Sequence, residues 1–222
     1  MQFKKFSVKL TGETPILMHQ DNIEWCGKIK KWQSDPSNKK KSVAGDDRSP
    51  ALTWIGSLYI DKGMVCIPAD NLMTLIREGG ARVPTGKRQG SFKAMTQSGI
   101  VVDQSSWELV GPKGTIDYAS IEPLTLEDDF AVHESTAAGL GFSLFVKRAK
   151  IGQAKHVRVR PRFDVWSCAG SVTVLDDQIT IDVLQNIFTY AGFYSGLCDW
   201  RPSSKQSPGQ FGKFSAVVAA VK

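Results

Sequence analysis

Apolar and polar residues alternate at the start of the chain, with Phe6, Val8 and Leu10 set against Lys5, Ser7 and Lys9. Successive side chains of a strand point to opposite faces, so this period of two predicts a half-buried strand over 3–11. The period is lost over 22–50, where six lysines (Lys28, Lys30, Lys31, Lys39, Lys40, Lys41) share a polar tract with Trp25, Trp32 and the turn sequence Asp35-Pro36-Ser37-Asn38. This tract reads as an exposed basic insertion. Strands are expected over 52–60 and 64–67, around the turn Asp61-Lys62-Gly63. Pro68 pre-sets a helix start that Asp70 caps, and the stripe Leu72, Leu75, Ile76 carries the helix to a stop at Gly79-Gly80. A second basic tract over 81–98, with Arg82, Lys87, Arg88 and Lys93 among Gly and Ser, reads as an exposed loop. Residues 100–110 and 116–121 are weak strand signals, and 131–142 fits no single period.

The signal sharpens after Lys155. Val157, Val159, Pro161 and Phe163 alternate with His156, Arg158, Arg160 and Arg162, which on a strand puts the three arginines on one face at intervals of roughly 6.6 Å. Pro161 marks that segment as an edge strand, a bulge or a ribbon. The strand continues over 163–175. Thr180 then caps a helix whose Leu184, Ile187, Phe188 and Ala191 follow i, i+3, i+4, i+7. A Gly-rich turn over 196–212 leads to a last strand over 214–221. This order predicts an α+β fold in which a ferredoxin-like β-α-β-β-α-β core carries two large basic insertions, 22–50 and 81–98, within a single domain spanning 1–222.

The 222 residues suit one elaborated domain, and an apolar fraction of 41% with 23% charged residues excludes a wholly disordered or fibrous chain. No apolar run reaches the roughly 18 residues a membrane helix needs, and residues 1–10 lack a secretory apolar core. A cytoplasmic protein is expected. Cys26, Cys66, Cys168 and Cys198 are too far apart for metal-ligand spacing and read as reduced structural thiols. No Ser/His/Asp set, HExxH, GxSxG or paired-carboxylate motif occurs. The expectation is therefore a protein that is not an enzyme and needs no cofactor or metal.

Charge narrows the picture further. The net charge is +6, yet Lys147, Arg148, Lys150, Lys155, Arg158, Arg160 and Arg162 bring seven cations and no acid to one segment, so the rest of the chain nets −1. A guanidinium grips phosphate bidentately, so a row of arginines suits a sugar-phosphate backbone, although charged strand faces also guard sheet edges. Lys28, Lys30 and Lys31 beside Trp32 pair attraction with a stacking platform, as single-strand binders do; a solvated loop with one Trp tucked inward fits as well. Arg77 in the first helix and Lys87 and Arg88 after it add cations. Near the end of the chain, Trp200 and Phe211 offer stacking surfaces and Arg201 and Lys213 phosphate contacts, within glycines that serve either close ligand approach or a structural turn.

Three stretches carry a family resemblance. Val8-Lys9-Leu10-Thr11-Gly12-Glu13-Thr14-Pro15-Ile16-Leu17, then Cys66-Ile67-Pro68-Ala69-Asp70-Asn71-Leu72 with Leu75-Ile76-Arg77, and the Gly-rich tract before the final strand resemble the RAMP superfamily, the ferredoxin-like backbone and guide-processing subunits of CRISPR effector complexes. Residues 10–19, 54–59, 67–72, 158–166 and 196–214 are more similar still to a group of phage- and prophage-encoded proteins. The resemblance implies an RNA-binding subunit that oligomerises along its ligand or joins a ribonucleoprotein complex. By position it assigns the grip to Arg158, Arg160, Arg162 and 22–50. The chain departs from the family in being short and in lacking an assignable catalytic histidine, so guide cleavage is not expected.

The leading expectation is thus a non-catalytic structural subunit that binds RNA or single-stranded DNA. An alternative is a phage protein whose basic strand meets an acidic protein partner. A third reading has Asp21, Asp35, Asp46 and Asp47 hold a metal for RNA cleavage.

Overall fold

The first strand forms where the alternation lies: β1 spans Lys4–Gly12 and buries Phe6, Val8 and Leu10 while its lysines stay exposed. The structure, a computed structural model, describes residues 3–38, 51–86, 90–151, 154–205 and 208–221, with 148–151 and 154–156 described by their backbone. After β1 come β2 (Ile16–Leu17), α1 (Ile23–Ser34), a 3₁₀ segment at Ala51–Ser57, β3 (Ile60–Asp61), β4 (Met64–Pro68), α2 (Ala69–Gly80) and α3 (Lys93–Ser98). Next are β5 (Ile100–Val102), β6 (Ser106–Glu108), β7 (Val110–Gly111), β8 (Gly114–Thr115), two 3₁₀ turns, and α4 (Phe130–Leu140). The chain continues through β9 (Ser143–Ile151), β10 (Ala154–Phe163), β11 (Ser167–Val174), α5 (Ile181–Tyr190), a π turn at Ala191–Ser195 and β12 (Phe214–Ala220). This is a mixed α+β fold.

The chain divides into two compact units. The first comprises Met1–Ile16, Cys66–Thr115 and Asp164–Lys222, the second Leu17–Val65 and Ile116–Phe163.

In the first unit β1 lies between β11 and β12, antiparallel to both, so that Val8 faces Gly170 on one side and Val218 on the other. β5 pairs with the far edge of β11 through Val172↔Val102, giving the order β12-β1-β11-β5, and the β7–β8 hairpin joins the same edge of β11 further along through Ser167↔Val110, making six strands in all. The inward residues of this sheet are buried together with Leu72, Leu75 and Ile76 of α2 and Leu184, Ile187 and Phe188 of α5. α5 also seals the sheet edge, because the Gln185 amide donates to the Ala216 carbonyl at 2.9 Å and accepts from the Val218 N–H at 3.0 Å. Asp103 accepts from the Ser171 and Thr173 hydroxyls, both at 2.6 Å, with Lys5 at 3.2 Å. Burial opposes its ionisation, but the two hydroxyls and Lys5 outweigh burial and hold the carboxyl below its ordinary pKa.

The second unit is built around buried aromatic rings. Trp54 contacts Phe142 at 5.5 Å between centroids, and Phe142 contacts Phe163 at 5.0 Å. The Trp54 indole N–H donates to Nδ1 of the fully buried His133 at 3.0 Å, and Nε2 of that ring faces the Glu127 carbonyl at 3.0 Å. This pairing fixes the neutral tautomer with the proton on Nε2, so both ring nitrogens are satisfied. α4 starts at Asp129, which accepts from the Ala131 N–H, and ends at Gly141 with φ 91°.

Several elements differ from the sequence reading. Residues 22–34, read as loop, include helix α1, capped by Asn22, whose side chain accepts from the Trp25 N–H at 3.2 Å; it buries no residue fully, so it shows little apolar period. Residues 39–50 lie outside the described set. The segment read as a strand over 52–60 is mostly the 3₁₀ turn, because Trp54, Ile55 and Leu58 are buried at a helical spacing. Tyr118–Ser120 is likewise a 3₁₀ turn, capped by Asp117. Within 81–98, Val83 and Phe92 are buried, Pro84 bridges Ser91, and α3 follows, so two apolar anchors tie down a tract read as exposed. The ambiguous 131–142 lies mostly in α4. The strand read over 163–175 breaks at 164–166, where Trp166 turns inward. α2 takes Pro68 as its N-cap with no side-chain cap from Asp70, and it runs through Gly80 because Gly79 lets the Ile187 carbonyl approach closely.

Candidate nucleic-acid interface

The arginine-bearing segment is a strand, as its alternation requires. β10 pairs with β9 along its whole length, with Arg158 opposite Lys147, Arg160 opposite Phe145 and Arg162 opposite Ser143. Opposed residues of an antiparallel pair share a face, so one face carries Arg158, Arg160, Arg162 and Lys147, with Phe145 among them. The reverse face buries Val159, Pro161 and Phe163. β10 lies between β9 and the two-residue β2 in a three-stranded sheet, not on an edge as Pro161 suggested, and the Pro161 carbonyl accepts from the Met18 N–H at 3.2 Å. Arg158 and Lys147 are exposed, Arg160 and Arg162 half-buried. Arg160 donates to the Ser57 hydroxyl at 3.4 Å, and the Arg162 guanidinium lies over the Phe145 ring at 5.9 Å. These contacts orient the two guanidinium groups. Arg148 belongs to β9 by its backbone.

In α1, Trp25, Lys28 and Trp32 fall at i, i+3 and i+7 and share one face. Lys28 sits over the Trp25 ring at 4.8 Å, and Trp25 packs on Gly56. Lys28, Lys30 and Lys31 are exposed, Trp32 half-buried. The helix thus interleaves cations with indoles on its surface. Lys87 and Arg88 lie outside the described residues, as do Asp46 and Asp47. Among the described residues no group of His, Cys, Asp and Glu is placed to hold a metal ion, and no helix is long and apolar enough to cross a membrane.

In the first unit the Gly-rich segment closes on itself. The Leu197 N–H donates to the Gly212 carbonyl at 2.9 Å, and the Gly212 N–H to the Pro15 carbonyl at 2.8 Å. Gly212 has φ 71°, and any Cβ there would meet the Leu197 backbone. Cys198 and Trp200 also take positive φ, 63° and 55°, two strained residues in one short loop. Trp200 stacks on Phe211 with centroids 5.9 Å apart and planes at 16°. Arg201 pairs with Glu78 at 3.1 Å, and Ser203 bridges both through its hydroxyl. Lys213 is half-buried, and its N–H donates to the Thr14 hydroxyl at 2.9 Å. Arg77 is exposed on α2, where it bonds the Met73 carbonyl and the Thr74 hydroxyl.

The sequence reading passed over a cleft of about 520 Å³ beside α2, whose lining includes Arg77, Glu78, Arg82, Lys93, Ser195 and Ser203. Next to it the Arg82 guanidinium lies over Tyr194 at 4.8 Å, and Tyr194 stacks on Tyr190 at 5.9 Å. Tyr190, Phe193 and Tyr194 are all exposed. Their signal was present in the sequence: Tyr190, Phe193 and Tyr194 fall off the apolar stripe of α5. No protein-family model matches the chain, and no curated protein matches it either.

Proposed function

We propose that this chain is a non-catalytic, RAMP-like structural subunit that grips the backbone of RNA, or of single-stranded DNA, and oligomerises along it. The observation that carries the reading is the face of the β9–β10 ribbon, where Arg158, Arg160, Arg162 and Lys147 line up on one side with an aromatic ring among them. Helix α1 adds lysines interleaved with Trp25 and Trp32 in the same unit. The first unit supports the family reading through its connectivity. With α2 between β1 and β5, and α5 between β11 and β12, the order β12-β1-β11-β5 corresponds to the 4-1-3-2 order of a ferredoxin-like core.

The test is the affinity for a fluorescent 20-nucleotide RNA, read by anisotropy across a salt series. A backbone-tracking face gives a steep decline with salt, and Arg158→Ala flattens the slope by about 0.7, one phosphate contact on a single strand. A shallow slope that this substitution leaves unchanged would redirect the ribbon to an acidic protein partner. Oligomerisation is read from the length of RNA that co-purifies, which grows in steps of one protomer's footprint.

A further inference from the structure

We propose that the cleft beside α2 is a binding site for a nucleotide phosphate, held by Arg77, Arg82 and Lys93. Three observations converge on it. The first is charge. Glu78 is the only acid among the described residues lining the cleft and is already paired with Arg201 at 3.1 Å, so three cations face the space uncompensated. The second is pre-orientation. The Arg82 guanidinium lies over the Tyr194 ring at 4.8 Å, and Tyr194 is itself stacked on Tyr190, which restrains the planar fork and cuts the entropy lost on gripping an anion. The third is an unpaired hydroxyl. Ser195 is 1% exposed and lines the cleft, yet among the described residues its Oγ has no hydrogen-bond partner, a condition rare in folded proteins away from ligand sites.

Size and chemistry then select the ligand. A cleft of about 520 Å³ is in the range of small-molecule pockets and is larger than a bare phosphate requires. Thr74, Gln97, Ser195 and Ser203 add neutral donors and acceptors suited to ribose hydroxyls and base edges, while the cations suit the phosphate. The same chemistry comes from a free nucleotide or from the phosphorylated end of a strand. The proposal is independent of the ribbon, since every residue it uses belongs to the first unit.

The experiment is isothermal titration of the full chain with AMP, adenosine, inorganic phosphate, and a ten-nucleotide RNA bearing either a 5′-phosphate or a 5′-hydroxyl. Expected is AMP binding about ten-fold tighter than adenosine or phosphate, and about ten-fold weaker after Arg82→Ala or Lys93→Met, as loss of a charge-assisted contact requires. Ser195→Ala weakens AMP binding about three-fold. Preference for the 5′-phosphorylated over the 5′-hydroxyl RNA assigns the site to strand ends; AMP binding without that preference assigns it to free nucleotides. Equal affinity for AMP and adenosine, AMP affinity unchanged in Arg82→Ala, or no AMP binding by the folded chain overturns the proposal. Affinity of the same variants for the 20-nucleotide RNA, with Arg158→Ala alongside, separates this outcome from failure of the ribbon.

Discussion

Cys198 joins a left-handed backbone to a buried side chain, and burial is the main cause that pushes its thiol up to about 12; burial pushes Cys168 up as well. A thiol whose folded pKa exceeds its ordinary 9.0 contributes stability that is fully present below pH 9 and is lost as pH rises toward the folded value. Urea midpoints are therefore expected to hold to pH 9 and fall above it, with Cys198→Ala reducing the decline. A thiol reagent checks the same burial, since the exposed Cys26 reacts in the native protein and Cys66, Cys168 and Cys198 only after unfolding. Gly170 shows the opposite constraint. Any Cβ there would enter the Trp107 indole, so Gly170→Ala is expected to cost about 2 kcal/mol by overpacking, read from the same urea curves. At this scale the shared face of Arg158, Arg160 and Arg162 was legible, because a strand's period fixes it. The partners of Gly170 and Arg201 were not, since both come from distant segments that only the fold brings together.

Elements with their own caps and periods were read well. β1 follows its alternation, and α5 starts at Thr180, whose hydroxyl accepts from the Val183 N–H at 3.3 Å. The misread elements lack a decisive local signal. Over 52–60 the run Leu52-Thr53-Trp54-Ile55 fits a buried strand or a helical turn equally, and packing around Trp54 decides. In α1 the lysines and two half-buried tryptophans leave no apolar stripe, so polarity suggested a loop. The edge of β12 illustrates a device invisible to pattern analysis, for Gln185 in α5 supplies the donor and acceptor that a neighbouring strand would give. Gln185→Ala leaves the Ala216 carbonyl and the Val218 N–H without them. The expected result is a loss of about 1–2 kcal/mol in unfolding free energy and faster aggregation followed by light scattering, as bare sheet edges recruit one another.

At the scale of the molecule, the class α+β and the strand–helix–strand order of the first unit followed from pattern alone. Its division from the second unit did not, because five chain segments alternate between the two and no linker composition marks the crossings. That interleaving also spreads the central sheet along the chain. β1 lies between β11 and β12, and the Ser7 hydroxyl meets the Ala219 carbonyl 212 positions away. On a ribosome adding ~10 residues per second, β1 emerges ~20 s before its last neighbour exists. Both its edges are open until β11 follows, and the β12 edge stays open after that, so adjacent nascent chains on one message are positioned to exchange β12, and correct assembly is a race between the chain's own β12 and its neighbour's.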